Sequence, residues 1–126
     1  MRKARGFTLV EVMMALSVVT AVVLALATAT AAFLHIVGVG DKRASAIQLA
    51  DSRIDEIQLD PNYPTLETTY AGTESSFATL PGFARTTVIV QTGGPGQPLD
   101  YKKITVTVDG PGLPNPISRT ITVAAP

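Results

Sequence analysis

Hydrophobic and polar positions divide the chain into three stretches of different pattern. The first, residues 12–40, contains no Asp, Glu, Lys or Arg, and His35 is its one ionisable side chain. About 20 apolar residues are enough for a helix to span a bilayer, so this stretch predicts a membrane-length helix. Beyond it, apolar residues return at helical spacings, at Ile47, Ala50, Ile54 and Ile57. The spacing predicts that the helix continues as an amphipathic segment to about Leu59, ahead of Pro61.

The third stretch, residues 61–126, predicts a small sheet. It contains all nine prolines of the chain, and its Gly- and Pro-rich breaks bound three Thr- and Val-rich segments. The predicted strands are residues 83–91, 101–109 and 117–124. Residues 61–82 are expected to be mostly loop, with 66–70 as a short extended piece. Short breaks favour an antiparallel meander, one face of which covers Ile47, Ile54 and Ile57. The predicted fold class is therefore α+β.

A single acid precedes the apolar stretch. The chain reads Arg5-Gly6-Phe7-Thr8-Leu9-Val10-Glu11, with Arg2 and Lys3 further upstream. A carboxylate at the start of a membrane-length segment is costly in lipid and usually indicates a functional residue. The plainer interpretation is a helix N-terminus, where the helix dipole favours a carboxylate. That interpretation alone leaves the Gly-Phe junction unexplained.

Residues 6–12, Gly-Phe-Thr-Leu-Val-Glu-Val, resemble the class III signal of type IV pilins and type II secretion pseudopilins. The resemblance implies that a prepilin peptidase cleaves after Gly6 and methylates the new amino terminus of Phe7. It also implies that Glu11 meets the N-terminal amine of a neighbouring subunit and sets its register during assembly. The implied fold is pilin-like: a long N-terminal helix packed on a small antiparallel β-sheet.

The resemblance and the pattern together predict four segments. Residues 1–6 are a leader peptide, 7–40 a transmembrane and fibre-core helix, 41–60 an amphipathic stem helix, and 61–126 a β-sheet head. The basic leader residues place the N-terminus in the cytoplasm by the positive-inside rule, which leaves the head periplasmic. The expected location is the bacterial inner membrane and then a pilus or pseudopilus. An ordinary secretory signal has an apolar core of about 7–15 residues followed by its cleavage site. Here the apolar run is much longer, and Gly6 lies before it.

Two further stretches, residues 48–57 and 101–108, are similar to I-type minor pseudopilins and V-type minor pilins. The predicted function is therefore a minor pilin or minor pseudopilin. Its expected partners are other pilins in a hetero-oligomeric fibre, the prepilin peptidase, an inner-membrane assembly platform, and lipid before assembly. The alternative is a membrane-tethered adhesion or ligand-binding module, including one for DNA uptake. The sequence is compatible with service in a pilus, a secretion system or a DNA-uptake system.

Composition limits the kinds of catalytic and binding site that the chain can form. The leader holds three of the ten basic residues and none of the ten acidic ones, so the processed chain is mildly acidic and has no large nucleic-acid footprint. Cysteine is absent and His35 is the single histidine, so no zinc-type ligand spacing occurs. We expect no enzyme activity, cofactor, metal site or small-molecule substrate. The charged residues of the amphipathic segment, Arg53 among them, are expected to form a solvated face, and Tyr63, Tyr70 and Tyr101 to lie in the core or on the sheet.

Overall fold

The structure is a computed structural model that describes residues 6–126, so the basic leader residues Arg2, Lys3 and Arg5 lie outside its described part. The elements follow one another as helix α1 (Leu9–Leu59), a 3-10 turn (Tyr63–Thr65), helix α2 (Leu66–Tyr70) and strands β1 (Gly72–Glu74), β2 (Ala84–Thr92), β3 (Tyr101–Asp109) and β4 (Ile117–Ala124). The α+β class and the pilin-like architecture are confirmed. The chain forms two compact units, of which the first ends at Gly38 and the second is Val39–Pro126.

The four strands form one antiparallel meander in the order β1-β2-β3-β4. Strands β2 and β3 pair along their whole length, from Ala84 opposite Asp109 to Thr92 opposite Tyr101. The prediction of β3 and β4 was correct at both ends, and β2 begins and ends one residue later than predicted. Strand β1 was missed because its three residues are too short to show an alternating pattern.

The core of the second unit lies between the end of α1 and one face of the sheet. Helix residues and alternate residues of β3 are buried together: Ala46, Ala50, Ile54 and Ile57 with Ile104, Val106 and Val108. Burying each large aliphatic side chain contributes about 1.5–3 kcal/mol. The prediction that Ile47 lies in this core was wrong, because Ala46 is buried in its place and Ile47 is only half-buried. Position relative to the sheet, and not hydrophobicity alone, decides which neighbour faces inward.

Residues 66–70 form a helical turn instead of the predicted extended piece. Pro64 occupies an early position of the preceding 3-10 turn, where its restricted φ favours helical backbone. Leu66 is buried and Tyr70, four residues later, packs against the same core. A spacing of four places both side chains on one side of a helix, so a helical signal was present in the sequence.

A charged cluster ties α1 to β1 and β2. Arg53, predicted to be solvated, is buried, and its guanidinium contacts Glu74 at 2.5 Å and Glu56 at 2.9 Å. Arg85 of β2 is also buried and contacts the second oxygen of Glu74 at 2.6 Å. The expectation of a solvated face failed at Arg53 because two carboxylates compensate its charge, and one of them, Glu74, lies 21 positions along the chain. Arg53 Nε has no partner within residues 6–126.

Candidate functional site

The predicted processing junction lies before α1, in irregular backbone. Gly6 and Phe7 are exposed, and 81% of Phe7 is accessible. A Cβ added at Gly6 would meet nothing within 4 Å, and its φ is outside the left-handed region. Within the described residues, therefore, neither packing nor backbone conformation demands a glycine at this position. A requirement for glycine at position 6 would therefore come from a molecule that recognises the junction.

Glu11 lies in the first turn of α1, and Thr8 caps that turn. The amide of Glu11 donates to Thr8 Oγ1 at 3.3 Å, and the amide of Val12 donates to the Thr8 carbonyl at 3.2 Å. Thr-x-x-Glu is the sequence of a capping box, a signal that the sequence analysis overlooked. The carboxylate near the positive end of the helix is also favoured electrostatically. The cap bond uses the backbone amide of Glu11, so the helix dipole is the part of this environment that favours its carboxylate. Gly6, Phe7 and Glu11 occupy one exposed six-residue segment.

The part of α1 in the first unit exposes a continuous apolar surface. Its large hydrophobic side chains, from Leu9 to Val37, are between 43% and 79% accessible. This helix is long and apolar enough to cross a membrane, with a mean hydropathy of 2.5 over its best window, none of which is buried. Exposure of so many large apolar side chains is characteristic of surfaces that contact lipid or other apolar partners.

Four hydroxyl side chains interrupt this apolar surface, and each is satisfied within the helix. Ser17, Thr20, Thr28 and Thr30 donate to backbone carbonyls three or four residues earlier at 2.8–2.9 Å. Because lipid offers no hydrogen-bond partners, such internal bonds let polar residues lie in a membrane-length helix. His35, the remaining polar side chain of residues 12–37, is exposed and belongs to no metal-ligand cluster among the described residues.

The head contains a polar network that sequence analysis did not find. Lys102 occupies an inward position of β3 and is 1% accessible, with Nζ donating to the Tyr63 carbonyl at 2.9 Å. Tyr63, predicted to be a core or sheet residue, is buried, and its hydroxyl donates to Asp100 at 2.9 Å. Burial raises the pKa of Tyr63 to about 12, with the Asp100 carboxylate adding to the shift. The available signal was that Lys102 lies in phase with the inward-facing Ile104, Val106 and Val108 of β3.

Comparison with known proteins bears on the N-terminal segment. Residues 1–27 match the family model of the prokaryotic N-terminal methylation motif. No curated protein and no solved structure matches the chain. The matched residues include Gly6, Phe7 and Glu11 together with the start of α1. The chain therefore carries an N-terminal methylation motif, the class III prepilin signal, ahead of a long apolar helix, a combination consistent with the type IV pilin-like family.

Proposed function

We propose that this protein is a minor pilin or minor pseudopilin, a structural subunit that enters or initiates a type IV pilus or a type II secretion pseudopilus. The observation that carries the proposal is the Gly6–Phe7 junction, which is exposed directly before α1 inside the matched methylation motif. A prepilin peptidase cleaves after Gly6 and methylates the amino group of Phe7. The motif supports a structural subunit in preference to an enzyme.

Processing would leave residues 7–126, with 7–40 as membrane anchor and later fibre core, 41–60 as stem and 61–126 as head. The exposed apolar side chains and the internally bonded hydroxyls of α1 support a membrane-anchored pilin. The leader sequence, with Arg2, Lys3 and Arg5, favours an inner-membrane orientation that leaves the head in the periplasm.

In the assembled fibre, Glu11 pairs with the methylated amino terminus of a neighbouring subunit. A carboxylate in apolar surroundings is tolerated when a cation and hydrogen bonds compensate it. Cleavage creates such a cation at Phe7, four residues before Glu11, so every subunit carries both halves of the contact. The partners are therefore other pilins in a hetero-oligomeric fibre, together with the prepilin peptidase and an inner-membrane assembly platform.

The first experiment is the intact mass and N-terminal sequence of the protein from membranes of its native host. A chain that begins at methylated Phe7 supports the proposal. A chain that still begins at Met1 while the peptidase processes other prepilins refutes it. The variant Gly6→Ala, which nothing in the described fold opposes, should remain uncleaved and membrane-bound.

A second experiment separates the assembly role of Glu11 from its place in the helix cap. Glu11→Ala should be cleaved normally and be depleted from sheared fibres, since it cannot compensate the neighbouring amine. Thr8→Ala is the matched control because it removes the capping oxygen and keeps the carboxylate. If Thr8→Ala is depleted as strongly as Glu11→Ala, helix capping explains the defect. Normal processing without any entry into fibres would favour the tethered binding module.

A further inference from the structure

The head contains a cleft of about 480 Å³ whose lining includes the Tyr63–Asp100 network. Its lining includes the buried Tyr63 and Lys102, the half-buried Asp100, and the exposed Gln97 and Pro126. Small-molecule sites usually occupy about 300–1,000 Å³ and present a few fixed polar groups. The cleft has the size of such a site, and all its lining residues belong to the second unit.

The Asp100 carboxylate is held in one orientation. Its Oδ1 accepts from the Tyr63 hydroxyl at 2.9 Å and from Gln91 Nε2 at 2.8 Å. The Tyr63 backbone is fixed in turn by the buried ammonium of Lys102, which donates to its carbonyl. Within residues 6–126, Oδ2 of Asp100 accepts no side-chain hydrogen bond, so one carboxylate oxygen remains for a ligand.

Two opposite charges line the cleft, those of Asp100 and Lys102. Lys102 is buried, donates to the Tyr63 carbonyl and lies 3.8 Å from Glu67, whereas Asp100 is half-buried and forms no ion pair among the described residues. The high pKa of Tyr63 keeps its phenol protonated through neutral pH, so this donor to Asp100 does not add a second negative charge. Among the described lining residues, Asp100 is therefore the charged group that has no ion-pair partner and is accessible to a ligand.

A metal ion is a poor match for this site. Calcium takes six to eight oxygen ligands and usually several carboxylates. No group of three His, Cys, Asp or Glu residues in residues 6–126 is placed to hold a metal. An organic cation with directional N–H donors needs only one well-oriented carboxylate, and such charge-assisted bonds are roughly twice as strong as neutral ones.

We propose that the Asp100 cleft binds an ammonium or guanidinium group, with Asp100 Oδ2 accepting its N–H donors and the Tyr63–Gln91 pair fixing the carboxylate. Such a group occurs on free amines and guanidines and on the lysine and arginine side chains of another polypeptide. The site is independent of N-terminal processing and of the assembly role proposed for Glu11.

The test titrates the full chain, in nonionic detergent micelles, with N-acetyl-arginine amide and follows ¹⁵N chemical shifts. Signals of the Gln91 side-chain amide, Gly94 and Gln97 should move, since these residues line the cleft. The neutral isostere N-acetyl-citrulline amide should bind at least about tenfold more weakly, because it offers no charge-assisted bond. Methylguanidinium tests the source: equal affinity favours a free guanidine, and weaker affinity favours an arginine within a peptide.

Two variants localise the site. Asp100→Asn keeps an oxygen that can accept from Tyr63 and Gln91 but loses the charge, so the affinity for the arginine probe should fall at least about tenfold. Asp109→Asn at the other end of β3 should leave the affinity within about twofold, since Asp109 lies outside the cleft lining. Equal binding of the citrulline probe, no movement of the cleft signals, or tighter binding of calcium at the same signals would overturn the proposal. The comparison of probes uses the unaltered chain and stays decisive even if Asp100→Asn fails to fold.

Discussion

Replacing Glu74 should loosen the attachment of β1 to the rest of the head. Its two oxygens contact Arg53 at 2.5 Å and Arg85 at 2.6 Å, and the two arginine side chains are only 9% and 10% accessible. Removing one partner of a buried ion pair costs about 3–5 kcal/mol. The cost is smaller here because 43% of the Glu74 side chain is exposed to screening water. Arg53 also keeps Glu56, and Arg85 keeps the Leu49 carbonyl at 3.1 Å.

We therefore expect Glu74→Gln to lower the free energy of unfolding of the head by about 2 kcal/mol. The assay is urea unfolding of the full chain in nonionic micelles, followed by tyrosine fluorescence, since the chain has no tryptophan. Asp51→Asn is the matched control: Asp51 is 49% exposed, and its ionic contact, at 3.2 Å, is with Arg119, whose side chain is itself 47% exposed. It should change the unfolding free energy by less than about 0.5 kcal/mol. Equal effects of the two substitutions would refute the reasoning.

The same cluster predicts a direction for acid unfolding. Burial by itself would raise the pKa of Glu74, but the hydrogen bonds and charges of Arg85 and Arg53 outweigh it and hold the pKa below its usual value of 4.5. A carboxylate with a lowered folded-state pKa stabilises the fold above its unfolded pKa and loses that contribution as pH falls through the folded value. The head should therefore lose stability below about pH 4.5, and Glu74→Gln should flatten that loss.

Two further pairs of substitutions test the core and the buried lysine. Ile57→Ala should cost about 2–5 kcal/mol because its side chain is 1% accessible, whereas Leu59→Ala, at 83% accessible, should change stability by less than about 0.5 kcal/mol in the same urea assay. Equal midpoints would show that α1 does not pack on the sheet as described. Lys102→Ala should cost about 2–4 kcal/mol, since it leaves the Tyr63 carbonyl without its donor and opens a cavity. Recovery of the wild-type urea midpoint by Lys102→Met, which fills the space without a donor, would show that volume and not hydrogen bonding matters there.

The sequence alone determined the features that depend on residues close together in the chain. The long apolar run, the break at Pro61 and the period-two alternation of β3 and β4 were sufficient for an α+β fold with a meander, because these signals repeat over many residues. The class III motif around Gly6, Phe7 and Glu11 could be recognised from the sequence because its residues lie within one short segment.

Only the tertiary structure decided which single residues face inward and what compensates them. Ile47 and Ala46 are neighbours, and the orientation of the helix against the sheet buries the smaller one. Arginine and lysine usually lie on the surface, but Arg53 and Lys102 are buried. Their partners are distant in sequence: Glu74 lies 21 positions from Arg53, and Tyr63 lies 39 positions from Lys102. Such partners meet only after the strands pair. A charged side chain can be buried only where partners compensate it, and this arrangement produces no periodic pattern in the sequence.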